Sequence, residues 1–159
     1  MKKTTKIVLL IIVLLVVFVL AFTNFNKEKT SLTTSDFISI MSSKSYSTVD
    51  ALSQFSEYDY IKEVTIALSG DNTHQIEFYV LEDESYAAQF YNNNRAIFES
   101  TKDNMSAETS VSINNYAKYT LSTSGKYNVV SRINNTVIYL SVDESYKDSI
   151  NELLEELGY

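Results

Sequence analysis

The chain has 159 residues and a net charge of −7, with one histidine, three glycines and no cysteine, proline or tryptophan. Without cysteine, a disulfide framework, a thiolate zinc site, an iron–sulfur cluster and a cysteine nucleophile are all excluded. Three isolated glycines cannot form a phosphate-binding loop or a dinucleotide-binding turn. A single histidine cannot supply a histidine cluster for a catalytic metal.

The N-terminal segment predicts a single membrane-spanning helix. Sixteen consecutive apolar residues, from Ile7 to Phe22, follow a lysine-rich start. A helix of this length rises roughly 24 Å, and its flanking residues extend it towards the ~30 Å hydrocarbon core of a bilayer. The positive-inside rule then leaves the N-terminus in the cytoplasm and exports the C-terminal part. A signal peptide cleaved after Ala21 is the alternative, whereas a lipoprotein is excluded because no cysteine is present to be acylated.

Composition and charge divide the chain into three segments. We predict a cytoplasmic tip and transmembrane anchor at 1–25, a tether at 26–33 and one exported domain at 34–159. Residues 1–29 carry five lysines and one glutamate, a net charge of +4, so the remaining residues carry −11. Binding to phosphate backbones needs clustered lysine and arginine, so the acidic exported part is not expected to bind nucleic acid.

The first half of the domain predicts a helix, three strands and a second helix. Thr34, Ser35 and Asp36 are a typical N-terminal signal for a helix over 34–44, and a short strand fits 46–50. Apolar and polar residues alternate at 63–68 and 76–80, and the Ser-Gly-Asp-Asn turn between them predicts an antiparallel hairpin. Asp83 and Glu84 then begin an amphipathic helix. Acids are favoured in the first turn of a helix by the helix dipole.

The second half predicts a polar loop at 101–114, three strands and a last helix. Strands fit 115–123, 126–133 and 137–142, joined by Ser-Gly and Asn-Asn turns. Asp143 and Glu144 open the helix, and Gly158 stands where a C-terminal cap is expected. These elements predict an α+β fold, in which two or three helices pack on one side of an antiparallel sheet.

A short motif indicates an internal repeat. The tetrapeptide Asp-Glu-Ser-Tyr occurs at 83–86 and again 60 residues later at 143–146, each time after an alternating strand and at the start of a helix. This recurrence favours a tandem strand-strand-strand-helix repeat. The alternative is that acids and serine are simply common at helix starts.

No catalytic, cofactor-binding or metal-binding residue is predicted. His74 lies beside a turn, and no serine-based or cysteine-based nucleophile pattern can be assembled around it. The acids at Glu82, Asp83 and Glu84 lack the alternating spacing around a glycine that an EF-hand calcium loop needs. We therefore expect a protein that is not an enzyme.

Tyrosine supplies the most informative candidate site, because the chain has twelve of them. If helices cover the sheet face that carries Ile76 and Phe78, the other face carries tyrosine and mixed charge, which suits a protein or glycan partner. Within this interpretation, the absence of tryptophan disfavours sugar binding. The alternative is that tyrosine simply favours strands and cross-strand pairs. The candidate partner-binding residues are Tyr79, Tyr139, Glu63, Glu77, Arg132 and Tyr116.

Four stretches carry a resemblance to a group of proteins. They are the Lys-Lys-Thr-Thr-Lys start with its apolar run, Ile-Glu-Phe-Tyr-Val-Leu at 76–81, Lys-Tyr-Asn-Val-Val-Ser-Arg-Ile-Asn-Asn-Thr at 126–136, and the Leu-Leu-Glu-Glu-Leu-Gly-Tyr ending. With these the chain resembles small uncharacterised membrane-anchored or lipoprotein-like envelope proteins of low-GC Gram-positive bacteria. The resemblance implies an envelope location, and no catalytic residues carry over from it.

We therefore expect a single-pass membrane protein whose extracytoplasmic domain is a non-catalytic interaction or regulatory module of the bacterial cell envelope. Its expected partners are the lipid bilayer, through Ile7 to Phe22, and an envelope protein, and no cofactor is expected. Two alternatives stay open. One is an envelope hydrolase that uses carboxylate or tyrosine chemistry, and the other is a sensor of a solute or cation.

Overall fold

The computed structural model describes residues 28–159, so the predicted anchor at 7–22 lies outside the described residues. Within this range no helix is long and apolar enough to cross a membrane. In chain order the elements are α1 (Thr34–Ser43), β1 (Ser47–Asp50), a 3₁₀ turn (Leu52–Phe55), β2 (Ile61–Leu68), β3 (Gln75–Leu81), α2 (Glu84–Ser100), β4 (Ala107–Ile113), β5 (Tyr116–Thr123), β6 (Lys126–Ile133), β7 (Thr136–Asp143), a 3₁₀ turn (Glu144–Tyr146) and α3 (Lys147–Glu156).

The seven strands form one antiparallel sheet in the order β1-β2-β3-β7-β6-β5-β4. The central pair, β3 with β7, joins the first half of the chain to the second. The predicted α+β class, with an antiparallel sheet and three helices, is confirmed.

Strand β4 corrects the predicted loop at 101–114. Its seven residues pair in unbroken register with β5. Six of the seven side chains, which point alternately to the two faces of the sheet, are exposed. Small or apolar residues at 107, 109, 111 and 113 alternate with polar residues at 108, 110 and 112, so the segment carries a short period-two signal. The prediction of a polar loop over 101–114 missed this signal. Backbone hydrogen bonds to β5 hold the strand in the sheet.

The helices pack on both faces of the sheet, so the prediction that they cover one side is wrong. Helices α1 and α3 cover the face that carries Phe78 and Ile138, and they bury Phe37 and Leu154 against it. Helix α2 covers the opposite face and buries Ala87, Tyr91 and Phe98 among sheet residues that include Tyr79, Val137 and Val130. Seven strands expose two broad apolar faces, and each face must be buried.

The strands fit the predicted repeat, but the helices do not. Phe78 and Ile138 are 60 residues apart and lie directly opposite each other in the β3–β7 pair. A twofold axis perpendicular to the sheet at this pair therefore exchanges the two halves. Rotation about such an axis maps each face of the sheet onto itself, so equivalent helices would lie on the same face. Helices α2 and α3 lie on opposite faces instead. No rotation superimposes both halves with their helices.

Three acids predicted at helix starts, Asp36, Asp83 and Asp143, take part in caps, whereas the cap residue of α1 is Thr33, just before the predicted signal at 34–36. Thr33 and Asp36 form a capping box at the start of α1. The side chain of Asp83 accepts hydrogen bonds from the backbone N–H groups of Ser85 and Tyr86, at 2.8 and 3.0 Å. Asp143 caps the 3₁₀ turn that precedes α3 in the same way. These hydrogen bonds explain why acids stand at these positions.

Candidate functional site

The six residues predicted to form a binding face lie on two different faces. Directly opposed residues of an antiparallel pair share a face. Glu77 lies opposite Tyr139, and Tyr79 and Arg132 both lie opposite Val137. These four side chains therefore share the face that α2 covers. Glu63 lies opposite Val80 and Tyr116 opposite Ile133, which places both on the face of α1 and α3.

Helix α2 covers the two central tyrosines. Tyr79 is 3 % exposed, its hydroxyl donates to the Glu77 carboxylate, and its ring centroid lies 4.6 Å from that of Phe90. Burial and the Glu77 carboxylate raise the pKa of Tyr79 far above its usual value. Tyr139 stacks on Phe98 with ring centroids 5.3 Å apart. The middle of this sheet face is therefore part of the core.

An open cleft lies beside this buried patch, where the first turns of α2 meet β2, β3 and the chain between β1 and β2. We call it the aromatic cleft, and its volume is about 420 Å³. Six aromatic side chains, three amide side chains and one isoleucine line it: Phe55, Tyr58, Tyr60, Tyr79, Tyr86, Phe90, Gln89, Asn93, Asn94 and Ile61. None of these side chains is charged.

The rings of the cleft support one another. Tyr60 and Tyr86 are stacked, with centroids 4.9 Å apart and an angle of 2° between their planes. Tyr58 meets the Tyr60 ring at its edge at 5.8 Å, and Phe55 meets Tyr79 in the same way at 5.5 Å. Ring pairs at these distances add stability beyond simple burial. The cleft is therefore preorganised, although Tyr58 keeps 47 % of its surface exposed.

The polar side of the cleft comes from α2. Gln89 and Asn93 are exposed and lie four residues apart, on one face of the helix. Asn94 donates to the backbone oxygen of Phe90 at 2.9 Å, which leaves its side-chain oxygen as an acceptor. Each amide offers both donors and acceptors. The cleft can therefore form hydrogen bonds with an uncharged polar ligand while its rings contact apolar groups.

His74 belongs to a separate hydrogen-bonded cluster at the β2–β3 turn. Its Nε2 lies 2.7 Å from the Tyr46 hydroxyl and its Nδ1 lies 3.0 Å from the Thr73 hydroxyl. The Thr73 and Ser69 hydroxyls each donate to the Asp71 carboxylate at 2.8 Å, which lowers the pKa of Asp71 to about 2. Since Ser69 is bound to Asp71 rather than to the imidazole, the cluster is not a catalytic triad.

A metal site is not evident either. Across residues 28–159, no group of three or more histidine, aspartate or glutamate side chains could hold a metal ion. Of the acids at 82–84, Asp83 caps α2 and Glu82 pairs with Lys62 at 3.5 Å.

Only Tyr79, at the floor of the cleft, was among the predicted site residues. The exposed wall comes from Tyr58 and Tyr60, in a segment whose sequence has no strand or helix periodicity. Its sequence signal was the pair of tyrosines two residues apart. Gln89 and Asn93 looked like ordinary residues of the polar side of a helix.

Comparisons with known proteins add no functional information. No protein-family model matches the chain, and no curated protein and no solved structure is detectably similar to it.

Proposed function

We propose that the chain is a membrane-anchored, extracytoplasmic interaction module of the bacterial cell envelope, and that the aromatic cleft binds an uncharged, extended segment of an envelope protein. The observation that carries this proposal is the lining of the cleft, in which six rings and three amides occur without any charged side chain. Aromatic grooves of this kind bind proline-rich segments, because rigid extended chains lose little entropy on binding.

The chemistry of the cleft favours binding over catalysis. Hydrolysis by paired carboxylates needs two acids beside the substrate, and the lining supplies none. A tyrosine nucleophile needs a lowered pKa, whereas burial raises the pKa of Tyr79. The amides are suited to hydrogen bonds with peptide carbonyl and N–H groups. A peptide is favoured over a sugar because the cleft has no tryptophan to stack on a sugar ring.

A titration of the full chain in detergent micelles with a synthetic, uncharged, proline- and alanine-rich peptide tests this proposal. We expect Tyr58→Ala and Asn93→Ala each to weaken binding about tenfold, the loss typical of a residue at the centre of an interface. The matched control is Asn92→Ala, which changes the neighbouring exposed asparagine of α2 outside the cleft lining. Affinity is measured by calorimetry.

Two results would contradict the proposal. If all three variants bind the peptide as tightly as the natural chain, the cleft is not the binding site. Binding of an uncharged oligosaccharide in place of the peptide, with loss of affinity in Tyr58→Ala, would keep the cleft and overturn the partner class.

A further inference from the structure

Strand β4 forms an edge of the sheet that is long and exposed. It stands last in the strand order, and all of its residues from Ala107 to Ser112 are exposed. The opposite edge, β1, has only four residues. A long edge strand presents a row of backbone N–H and C=O groups that can pair with another strand.

The hairpin geometry shows which of these backbone groups point outward. Asn114 and Asn115 form a two-residue turn, and Ile113 and Tyr116 are the closing pair. The closing pair of such a hairpin exchanges hydrogen bonds, and hydrogen-bonded pairs alternate along an antiparallel ladder. Ile113 and every second residue before it therefore point their backbone groups towards β5. Glu108, Ser110 and Ser112 point theirs away from the sheet.

This edge lacks the features that usually block strand pairing. It has no proline, lysine or bulge, which are the common means of protecting an edge. Its one charged residue, Glu108, is already bound by the Lys102 ammonium group and by the Tyr119 hydroxyl at 2.7 Å. The outward edge therefore presents backbone groups without an unpaired charge beside them.

We propose that the edge binds β4 of a second copy of this chain, in antiparallel register centred on Ser110. This register uses all seven residues, and it aligns Ser110 with Ser110 of the second copy. It also pairs Glu108 with Ser112, Thr109 with Val111 and Ala107 with Ile113, so no two like charges are opposed. About six new backbone hydrogen bonds form, two for each of the three outward pairs.

The pairing is compatible with attachment of both copies to one membrane. Its twofold axis is perpendicular to the sheet, so the face covered by α1 and α3 lies on the same side of the joined sheet in both copies. Lys29 lies over the ring of Tyr116, 3.8 Å from the ring centroid, on the face that α1 and α3 cover. Both N-terminal segments therefore leave the joined sheet from one face. The aromatic cleft lies at β2 and β3, four strands from this edge at its nearest, so the pairing does not depend on the proposed function.

The absence of cysteine allows a sharp test on the full chain in detergent micelles. In the proposed register the two copies of residue 110 have Cα atoms about 5.5 Å apart, within the range of a disulfide, roughly 4.4–6.8 Å. We expect Ser110→Cys to form a covalent dimer under mild oxidation, seen on a non-reducing gel. The matched control is Ser112→Cys, whose counterpart is displaced by four residues, about 13 Å along the strand.

Mixing two variants tests the register. Chains with Glu108→Cys and chains with Ser112→Cys should cross-link to each other, and neither should cross-link alone. Monomers of Ser110→Cys at high concentration would overturn the proposal, as would equal cross-linking of Ser110→Cys and Ser112→Cys. All three positions are exposed on the edge strand, so each variant should stay folded, and Glu108→Cys should melt at a lower temperature because it loses its contacts with Lys102 and Tyr119. Thermal melting checks this.

Discussion

His74 links three parts of the chain through its ring. Its nitrogens contact Tyr46, which follows α1, and Thr73 in the β2–β3 turn, while its ring lies 4.6 Å from that of Tyr146, before α3. Partial burial lowers the pKa of His74, and the nearby Asp71 carboxylate opposes this shift only in part. The folded state therefore favours the neutral imidazole.

This pKa shift predicts a step in stability with pH. The unfolded chain binds a proton at His74 near the ordinary pKa of 6.5, and the folded chain binds it only at lower pH. The free energy of unfolding should therefore be highest above pH 6.5 and decrease as the pH falls towards the pKa of the folded state. Denaturation in urea at neutral and mildly acidic pH measures this step.

The control for this prediction is His74→Gln, which cannot titrate. Its stability should depend less on pH over the same range, because glutamine binds no proton there. The pKa of Asp71 is lowered from 3.8 to about 2, so its contribution to stability is lost only as the pH falls through the range around and below 3.8. An equal loss of stability in the variant and the natural chain would assign the effect to other groups.

Helix α2 is the element that turns the tyrosine face into a core. It is the longest described helix, with 17 residues, and it contributes the three buried side chains Ala87, Tyr91 and Phe98. Its first turns also supply Tyr86, Gln89 and Asn93 to the aromatic cleft. The same element therefore buries one part of the sheet and builds a wall beside another part.

Removing one ring from this helix should reveal its contribution to stability. Phe98 is 4 % exposed and stacks on Tyr139, so Phe98→Ala should lower the free energy of unfolding by about 3 kcal/mol, through lost burial and a residual cavity. Its neighbour Ile97 is 58 % exposed, and Ile97→Ala should change stability by no more than about 0.5 kcal/mol. Equal effects in urea denaturation would show that α2 is not docked as described.

The whole molecule combines a basic N-terminal segment with an acidic domain. The net charge is +4 in residues 1–29 and −11 in the remainder. Lys2, Lys3 and Lys6 precede the apolar run, and by the positive-inside rule they predict that the N-terminus stays in the cytoplasm. Residues 28–33, the described part of the predicted tether, contact the domain. The backbone N–H of Lys29 donates to Asn115 and its ammonium group to the Gly158 oxygen, at 3.0 and 2.7 Å.

The proposed topology can be tested in intact bacterial cells. Met105 is 92 % exposed, so Met105→Cys places one accessible thiol in a chain that has no other cysteine. We expect a membrane-impermeant maleimide to label this variant without cell lysis. The control is Lys3→Cys, on the predicted cytoplasmic side, which should be labelled only after lysis. Labelling of the two variants in the opposite order would contradict the orientation.

Part of the fold could be predicted from the sequence because the signals are local. Helix α1 begins at Thr34, after a capping box that Asp36 completes. Gly158 has a positive φ of 82°, and the N–H of Tyr159 donates to the Leu154 oxygen at 2.8 Å, as expected at a helix C-terminus. Caps, turns and alternating strands depend on a few neighbouring residues, so their residue types are sufficient to predict them.

The remaining features depend on contacts between distant residues. The sequence by itself predicted the amphipathic helices and six of the seven strands, because alternation marks β2, β3 and β7 and short turns mark the ends of the strands between them. The tertiary structure alone decided that α2 and α3 pack on opposite faces, since amphipathicity defines an apolar face but not the sheet face that it meets. It also decided the aromatic cleft, whose lining spans residues 55–94, and the place of β4 at the edge of the sheet, which depends on its pairing with β5.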